Sequence, residues 1–442
     1  LIIASGRGHW VQKRDDMIEL KGLGKVSTYW LRTQNCSLVE TEQSSDKASD
    51  DTNGFTQLPG RQVDVPFSSP QRLRQGTKKN TIVWHKELLA TLLKKIDSTR
   101  AAVSVGGDEE VALKQAESQA IFGQATPTHC IEFPTVTTTD RGSVDVSDIQ
   151  LSSAVDRQLT SFVRAIAGAY NPNPFHNFEH ASHVVMSVTK LLGHMENSSE
   201  LSLDDPMTQF AVVLTALIHD VDHPGVGNQQ LISEGHPLSK KYTSSIAERN
   251  SLDVAWQILQ QDSYQELRRA IYTTTAEFER FRQLMVHALL ITDIMDKDLQ
   301  AERKKRWDQV FTKPESDKTQ QDKDLLLNMQ KTAVLETIIQ VSDVSHTMQH
   351  WKVYQKWNHR LYQELQQAYE AGRSAKAPAD FWYPGELGFF DHYIIPMAAR
   401  LKECPAFYDS GKELLLYAES NRMEWEAKGE DVVKELQSSL LM

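Results

Sequence analysis

Cysteine, long apolar runs and positive charge are all scarce in this sequence, and each shortage excludes something. Cysteine occurs at only 3 positions, Cys36, Cys130 and Cys404. They are far apart, which rules out a paired-thiolate metal site and suits a reducing, intracellular compartment. The longest apolar run, "FAVVLTALI" at 210–218, ends at a histidine; a bilayer span needs about 20 such residues. Formal net charge is −11 and no basic run stands out, which argues against a general nucleic-acid binder. Nothing like a signal peptide follows Leu1, and the chain reads as a piece of a longer protein. Its location is expected to be cytoplasmic, with a parent that is membrane-anchored through a missing N-terminal part.

Sustained strand alternation is also rare. It occurs in "MIELKGLGKVSTYWL" (17–31), which predicts two short strands around a Gly-containing turn. A lone hairpin is marginal in water, so residues 1–35 read as the remnant of another domain. Residues 36–80, with "TEQSSDKASDDTNG", read as a disordered linker. Helical periodicity begins at "WHKELLATLLKKI", where Trp84, Leu88, Leu92 and Ile96 form one stripe. That stripe suits packing on the main domain better than a dimerisation seam, since it is too short for sustained heptads. A leading helix and polar loop fill 81–150, the loop covering about 104–150. From 151 to 435 nearly every segment is helix-periodic, so the main domain is expected to be all-α. Hydrophobic content of 40% suits a sizeable core.

Three segments carry chemistry. In "PNPFHNFEHASHVV" (172–185), His176 and His180 stand four apart and share a helix face, with His183 just beyond. Alone, such a pair is more often coincidence than a metal site. In "FAVVLTALIHDVDHPGVGNQ" (210–229), a buried face of Phe210, Val213, Leu214, Leu217 and Ile218 delivers His219, Asp220, Asp222 and His223. In "VLETIIQVSDVSH" (334–346), Leu335, Ile338 and Ile339 precede Asp343. Imidazoles and carboxylates at the ends of apolar helices are costly to bury unless they bind something. Two histidines and two carboxylates suit a hydrolytic zinc or a mixed two-metal centre.

The order HNxxH, HDxDHPG and a later SD resembles the class I 3′,5′-cyclic-nucleotide phosphodiesterases of the HD metal-hydrolase superfamily. The likeness runs through about 150–428, including "LLITD" (289–293), "GFFDHYIIP" (388–396) and "NRMEW" (421–425). It implies zinc held by His180, His219, Asp220 and Asp343, with Asp220 bridging to magnesium or manganese. It implies waters held by His223, Glu248 and Thr292, and a general acid, His176, oriented by Glu364. Leu361 and Phe389 would clamp the purine, with Glu386 and Asn177 also binding substrate. Two cations lower the pKa of a shared water, and a cationic histidine protonates the leaving O3′.

Three positions depart from the family pattern. Phe175 replaces a tyrosine, "ERNS" carries Asn250 and Ser251 where histidines are usual, and Glu386 replaces the purine-binding glutamine. A carboxylate accepts guanine's paired donors, so cyclic GMP is expected to be favoured over cyclic AMP. His183 is expected to be no ligand, Asp222 to be structural, and His287 to be a satisfied core histidine. His9 and His85 carry no signal. Residues 8–31 resemble the C-terminus of a class III nucleotide cyclase, with Lys21 matching a triphosphate-contacting lysine. The parent is thus expected to fuse a cyclase to a phosphodiesterase and to dimerise through 84–96 or the missing cyclase region. Two readings compete with catalysis of this kind: an HD phosphohydrolase of other nucleotides, and a non-catalytic cyclic-nucleotide-sensing module regulating the cyclase.

Overall fold

A computed structural model of the chain describes residues 11–20, 24–31, 70–100, 107–134, 146, 148–195, 201–311 and 319–440. The chain divides into two units, residues 1–79 and 80–442. In the first, β1 (Val11–Leu20) and β2 (Gly24–Leu31) pair antiparallel, Leu20 opposite Gly24, as the alternation predicts. β1 starts upstream of the predicted stretch, and the register slips between Lys13 and Met17. Lys21, His9, Cys36 and linker residues 36–69 lie outside the described residues.

Helix α1 (Pro70–Thr99) begins inside the stretch expected to be linker, so the linker reading fails for its last residues. Its inward face also differs from the predicted stripe. His85, Leu89, Leu92, Leu93 and Ile96 are buried, while Trp84 and Leu88 are only half-buried. That face is taken up inside the chain's own core, so it does not serve as a dimer seam. Helix α2 (Gly107–Gln119) occupies what was expected to be loop. Only Leu113 on it is buried, so no apolar stripe announces it. Instead Glu117 accepts from Arg268 Nε at 2.9 Å and Tyr272 Oη at 2.8 Å. A 3₁₀ turn at Phe122–Gln124 follows, its Gly123 N–H donating to Asp253 Oδ1 at 2.6 Å. A Cβ on Gly123 would stand 2.7 Å from the Arg249 carbonyl oxygen, so this approach requires glycine.

The rest is helical, as the periodicity predicts. Helices α3 (Ser153–Gly168), α4 (Phe178–Met195) and α5 (Pro206–Ile218) come first. The short α6 (Asn228–Ser233) and α7 (Pro237–Lys241) lead to α8 (Ile246–Leu259) and α9 (Gln265–Ile271). Then come α10 (Thr275–Leu290), α11 (Lys297–Phe311), α12 (Gln320–Asp343) and α13 (Trp351–Glu370). Helices α14 (Trp382–Phe389), α15 (Ile395–Glu403) and α16 (Tyr408–Leu440) complete the unit.

Two central helices position the site. In α5, Asp205 caps the start by accepting from the Thr208 N–H at 2.7 Å, Pro206 stands at the first turn, and every residue from Met207 to Ile218 is buried. Each large side chain there contributes about 1.5–3 kcal/mol of burial. In α12 a capping box joins Thr319 and Asp322, and Val334, Leu335, Ile338 and Ile339 fix the last turns in the core. Both helices therefore end rigidly, where His219 and Asp343 sit. No helix among the described residues is long and apolar enough to cross a membrane.

Candidate metal centre and cleft

The ends of α5 and α12 and the first turn of α4 converge. Asp343 Oδ1 lies 3.1 Å from His180 Nε2 and 3.3 Å from His219 Nε2. Asp220 Oδ2 lies 3.1 Å from His219 Nε2 and 3.7 Å from His180 Nε2. All four residues are thus brought together. His219 Nδ1 sits 3.0 Å from the Ala216 carbonyl, which fixes the N–H there and turns the Nε2 lone pair toward the carboxylates. Nε2 of His219 and Oδ2 of Asp220 are buried without a hydrogen-bond partner. Two buried carboxylates facing two imidazoles call for positive charge, which a proton on an imidazole or a bound cation can supply. Burial alone would lower the pKa of His219, yet Asp220 and Asp343 hold it well above its ordinary value. The donor set fits a divalent metal.

Beside this set lies a second cluster of His176, Asp220 and His223. The His176 and His223 rings stack, with centroids 3.9 Å apart. His176 Nδ1 meets Glu364 Oε1 of α13 at 2.5 Å, while Glu364 Oε2 accepts from the N–H groups of Phe175 and His176 at 2.8 and 3.0 Å. Burial opposes charging of His176, but Glu364 and then Asp220 outweigh it and lift its pKa to about 9. Burial and the charge on His176 push His223 down to about 3. One ring of the stack is cationic and the other neutral.

Around the centre, Glu248 at the start of α8 is raised to about 8 by burial and by Asp293. Asn228 bridges the two carboxylates, its Nδ2 donating to Glu248 Oε2 at 2.9 Å and Asp293 Oδ2 at 3.2 Å. Thr292 donates its hydroxyl to the Leu289 carbonyl at 2.8 Å. Phe175 lies among the rings of His180 at 4.6 Å, His346 at 5.5 Å and Trp357 at 5.7 Å.

Helix α13 also carries Tyr354, Asn358 and Leu361. Tyr354 and Leu361 stand seven apart on it, with Glu364 three further on, so they share a face. Tyr354 donates to Glu386 Oε2 at 2.6 Å and receives Asn358 Nδ2 at 3.2 Å, while Trp382 Nε1 donates to Asn358 Oδ1 at 3.2 Å. Burial raises the Glu386 pKa to about 7 against these hydrogen bonds. Phe389 stacks on Tyr393 at 5.4 Å.

One expected site residue is engaged elsewhere. Asn177 was expected to bind substrate. Its Oδ1 accepts from Glu179 and His180 N–H, and its Nδ2 donates to the Asn173 and Pro174 carbonyls. It caps α4 and leaves no free donor for a ligand. His85, expected to carry no signal, is 1% exposed, and its Nε2 meets Ser182 Oγ at 2.9 Å. His183 pairs with Gln349, and buried His287 meets Glu336 at 3.1 Å; neither joins the metal set. Asp222 is structural, as expected: Asn250 Nδ2 donates to its Oδ2 at 3.0 Å. Asn228, Asp293 and Tyr354 were missed. Asn228 and Asp293 lie inside the segments 210–229 and 289–293, but only the neighbouring positions were read as functional.

The profile of the 3′,5′-cyclic nucleotide phosphodiesterase family matches residues 175–406, which hold every one of these side chains except those of α1 and α2 and Asn173. The chain belongs to that family. Among relatives, a probable 3′,5′-cyclic-AMP phosphodiesterase of Caenorhabditis elegans is 26% identical over 279 residues, 60% of this chain and 39% of that protein. A cGMP-specific 3′,5′-cGMP phosphodiesterase of Dictyostelium discoideum is 25% identical over 208 residues, covering 47% of this chain and 41% of its own length. The chain thus spans well under half of either relative. The crystal structure of the phosphodiesterase domain of Salpingoeca rosetta rhodopsin phosphodiesterase shares the fold. It covers 74% of this chain and 97% of that domain, with a TM-score of 0.52 and 21% identity. The phosphodiesterase fold is therefore all-α here, as the periodicity predicts.

Proposed function

We propose that this chain hydrolyses 3′,5′-cyclic nucleotides to 5′-nucleotides, using a divalent metal centre. The carrying observation is the convergence of His180, His219, Asp220 and Asp343 beside the His176–Glu364 pair. Those four would hold zinc. Asp220 would also face a second site for magnesium or manganese, whose water ligands His223, Glu248 and Thr292 would retain. When bound, the cations would activate water and offset charge on the phosphoryl oxygens.

The chain's own residues do the rest. Glu364 occupies Nδ1 of His176, so Nε2 is the nitrogen left to protonate the departing O3′. Leu361 and Phe389 flank the purine, and Glu386 reads its edge. With one oxygen taken by Tyr354, an ionised Glu386 accepts guanine N1–H and N2–H. Adenine N1 would face it unpaired, at about 1–3 kcal/mol. Cyclic GMP is therefore favoured, and more so as pH rises through about 7, where Glu386 ionises. Residues 1–35 are read as resembling part of a nucleotide cyclase, which would make this a cyclase–phosphodiesterase fusion for signalling.

The test is hydrolysis of cyclic AMP and cyclic GMP by the full chain, with magnesium and then with chelator, alongside Asp220→Ala. Turnover should disappear with chelator. Asp220→Ala should lose more than the roughly 10–100-fold typical of residues that only support a metal ligand. Normal turnover by Asp220→Ala would refute the metal reading. Tight cyclic-nucleotide binding without turnover would favour the sensing module.

A further inference from the structure

Glu364 grips His176 from α13, but His219, Asp220 and His223 follow the end of α5, and that pair does not fix the distance between His176 and this loop. We propose that Asn173 is a positioning residue that brackets the general acid to the metal-holding loop. The inference rests on the reading of His176 as general acid.

The bracket is a single amide group. Asn173 Nδ2 donates to the His176 carbonyl at 3.2 Å and to the His223 carbonyl at 2.8 Å. Its two hydrogens lie in one plane at a fixed angle, so the two carbonyls it joins have a fixed spacing. The Asn173 Oδ1 side packs against Gly225, at φ +72°, where a Cβ would stand 3.3 Å from that oxygen. Asn171 repeats the device one turn of loop away. Its Nδ2 donates to the same His223 carbonyl at 3.0 Å and to Asp222 Oδ1 at 3.2 Å.

What is held is a strained segment. Asp222 adopts φ +58°, in the left-handed region that non-glycine residues seldom occupy. Its backbone N–H donates to the Ala169 carbonyl at 3.0 Å, and its second oxygen takes Asn250 Nδ2 at 3.0 Å. The bracing loop is itself stiffened, since Pro172 and Pro174 flank Asn173 and fix their own φ. The clamps Asn171, Asn173 and Asn250 are all amides, and no titration changes their donors.

The test is a double-mutant cycle of Asn173→Asp and His176→Ala in the full chain, with kcat, KM and zinc content measured for each. Asn173→Asp keeps the shape and removes both donors. It should lower kcat by about 10²-fold, the cost of displacing a catalytic group by an ångström or so, with KM and zinc content held near wild type. Because Asn173 acts through His176, the double variant should turn over at the rate of His176→Ala alone. Losses that multiply, zinc that falls in step with turnover, or an Asn173→Asp enzyme with normal kcat would each overturn the bracket. If the aspartate prevents folding, Asn173→Ala takes its place in the same cycle. Normal turnover by His176→Ala would instead remove the general-acid reading on which the bracket rests, a result visible without any Asn173 variant.

Discussion

Two glutamates, Glu364 buried on α13 and Glu386 half-buried on α14, are driven in opposite directions. Glu364 and Glu386 both suffer burial, which raises a carboxyl's pKa. Glu364 nevertheless falls to about 2, because the charge on His176 and the N–H groups of the same loop outweigh burial. Glu386 rises to about 7, because its partners, Tyr354 and Asn358, are neutral donors that only partly offset burial. The span corresponds to something on the order of 7 kcal/mol of differential interaction. At Glu364 a neighbouring cation together with two loop N–H groups outweighs burial; at Glu386 two neutral side-chain donors do not. Glu364 is therefore a permanent anion that keeps His176 charged. Glu386 changes state near neutrality, and under the proposed function that change would alter which base is accepted.

Replacing Glu364 breaks the comparison at its strong end. Glu364→Gln keeps the shape and removes the charge that lifts His176. We expect kcat to fall by about 10²–10³-fold, within the range general acid catalysis supplies. With that anion gone, the His176 pKa drops from about 9, so the alkaline limb of kcat/KM moves to lower pH. A pH–rate profile of the variant checks both.

At the weak end, Glu386→Gln supplies a neutral amide that can turn to serve either purine. The ratio of kcat/KM for cyclic GMP over cyclic AMP should fall about 5-fold or more, the lower edge of one unpaired polar group. It should also lose its rise between pH 6 and pH 8, since nothing at that position titrates. Competition kinetics with both nucleotides across this range measure it.

A smaller effect is expected from Tyr354→Phe. Removing the hydroxyl that donates to Glu386 Oε2 leaves burial less opposed, so the Glu386 pKa rises further above 7. The pH at which the cyclic GMP preference develops should move up by roughly one unit, with kcat little changed. A downward move would show that Tyr354 does not stabilise the anion.

The metal set was legible because its chemistry restricts residue type and its helices announce themselves by apolar periodicity. His219 and Asp343 each follow a run of buried side chains; His180 lies in the first turn of α4, but His176 precedes the helix, so the shared helix face that their spacing predicts does not form. What was not legible depends on distant partners. Helix α2 buries only Leu113 and is held by Arg268 and Tyr272, some 150 residues away, so no local pattern reveals it. On α1 the inward face includes His85, because Ser182 gives its ring a partner that composition cannot show. Asn177 and Asn173 are the same residue type four apart. The first closes a helix end and the second joins two loops, and only the positions of the surrounding N–H and C=O groups tell them apart.

The most direct test is the zinc content of His176→Ala set beside its turnover. In the proposed function His180, His219, Asp220 and Asp343 would hold the metal, while His176, which also neighbours Asp220 and His223, is engaged by Glu364 and would serve as the acid. The variant should therefore bind as much zinc per chain as wild type while turnover falls by about 10²–10⁴-fold. Zinc lost in proportion to activity would make His176 a ligand and contradict the account.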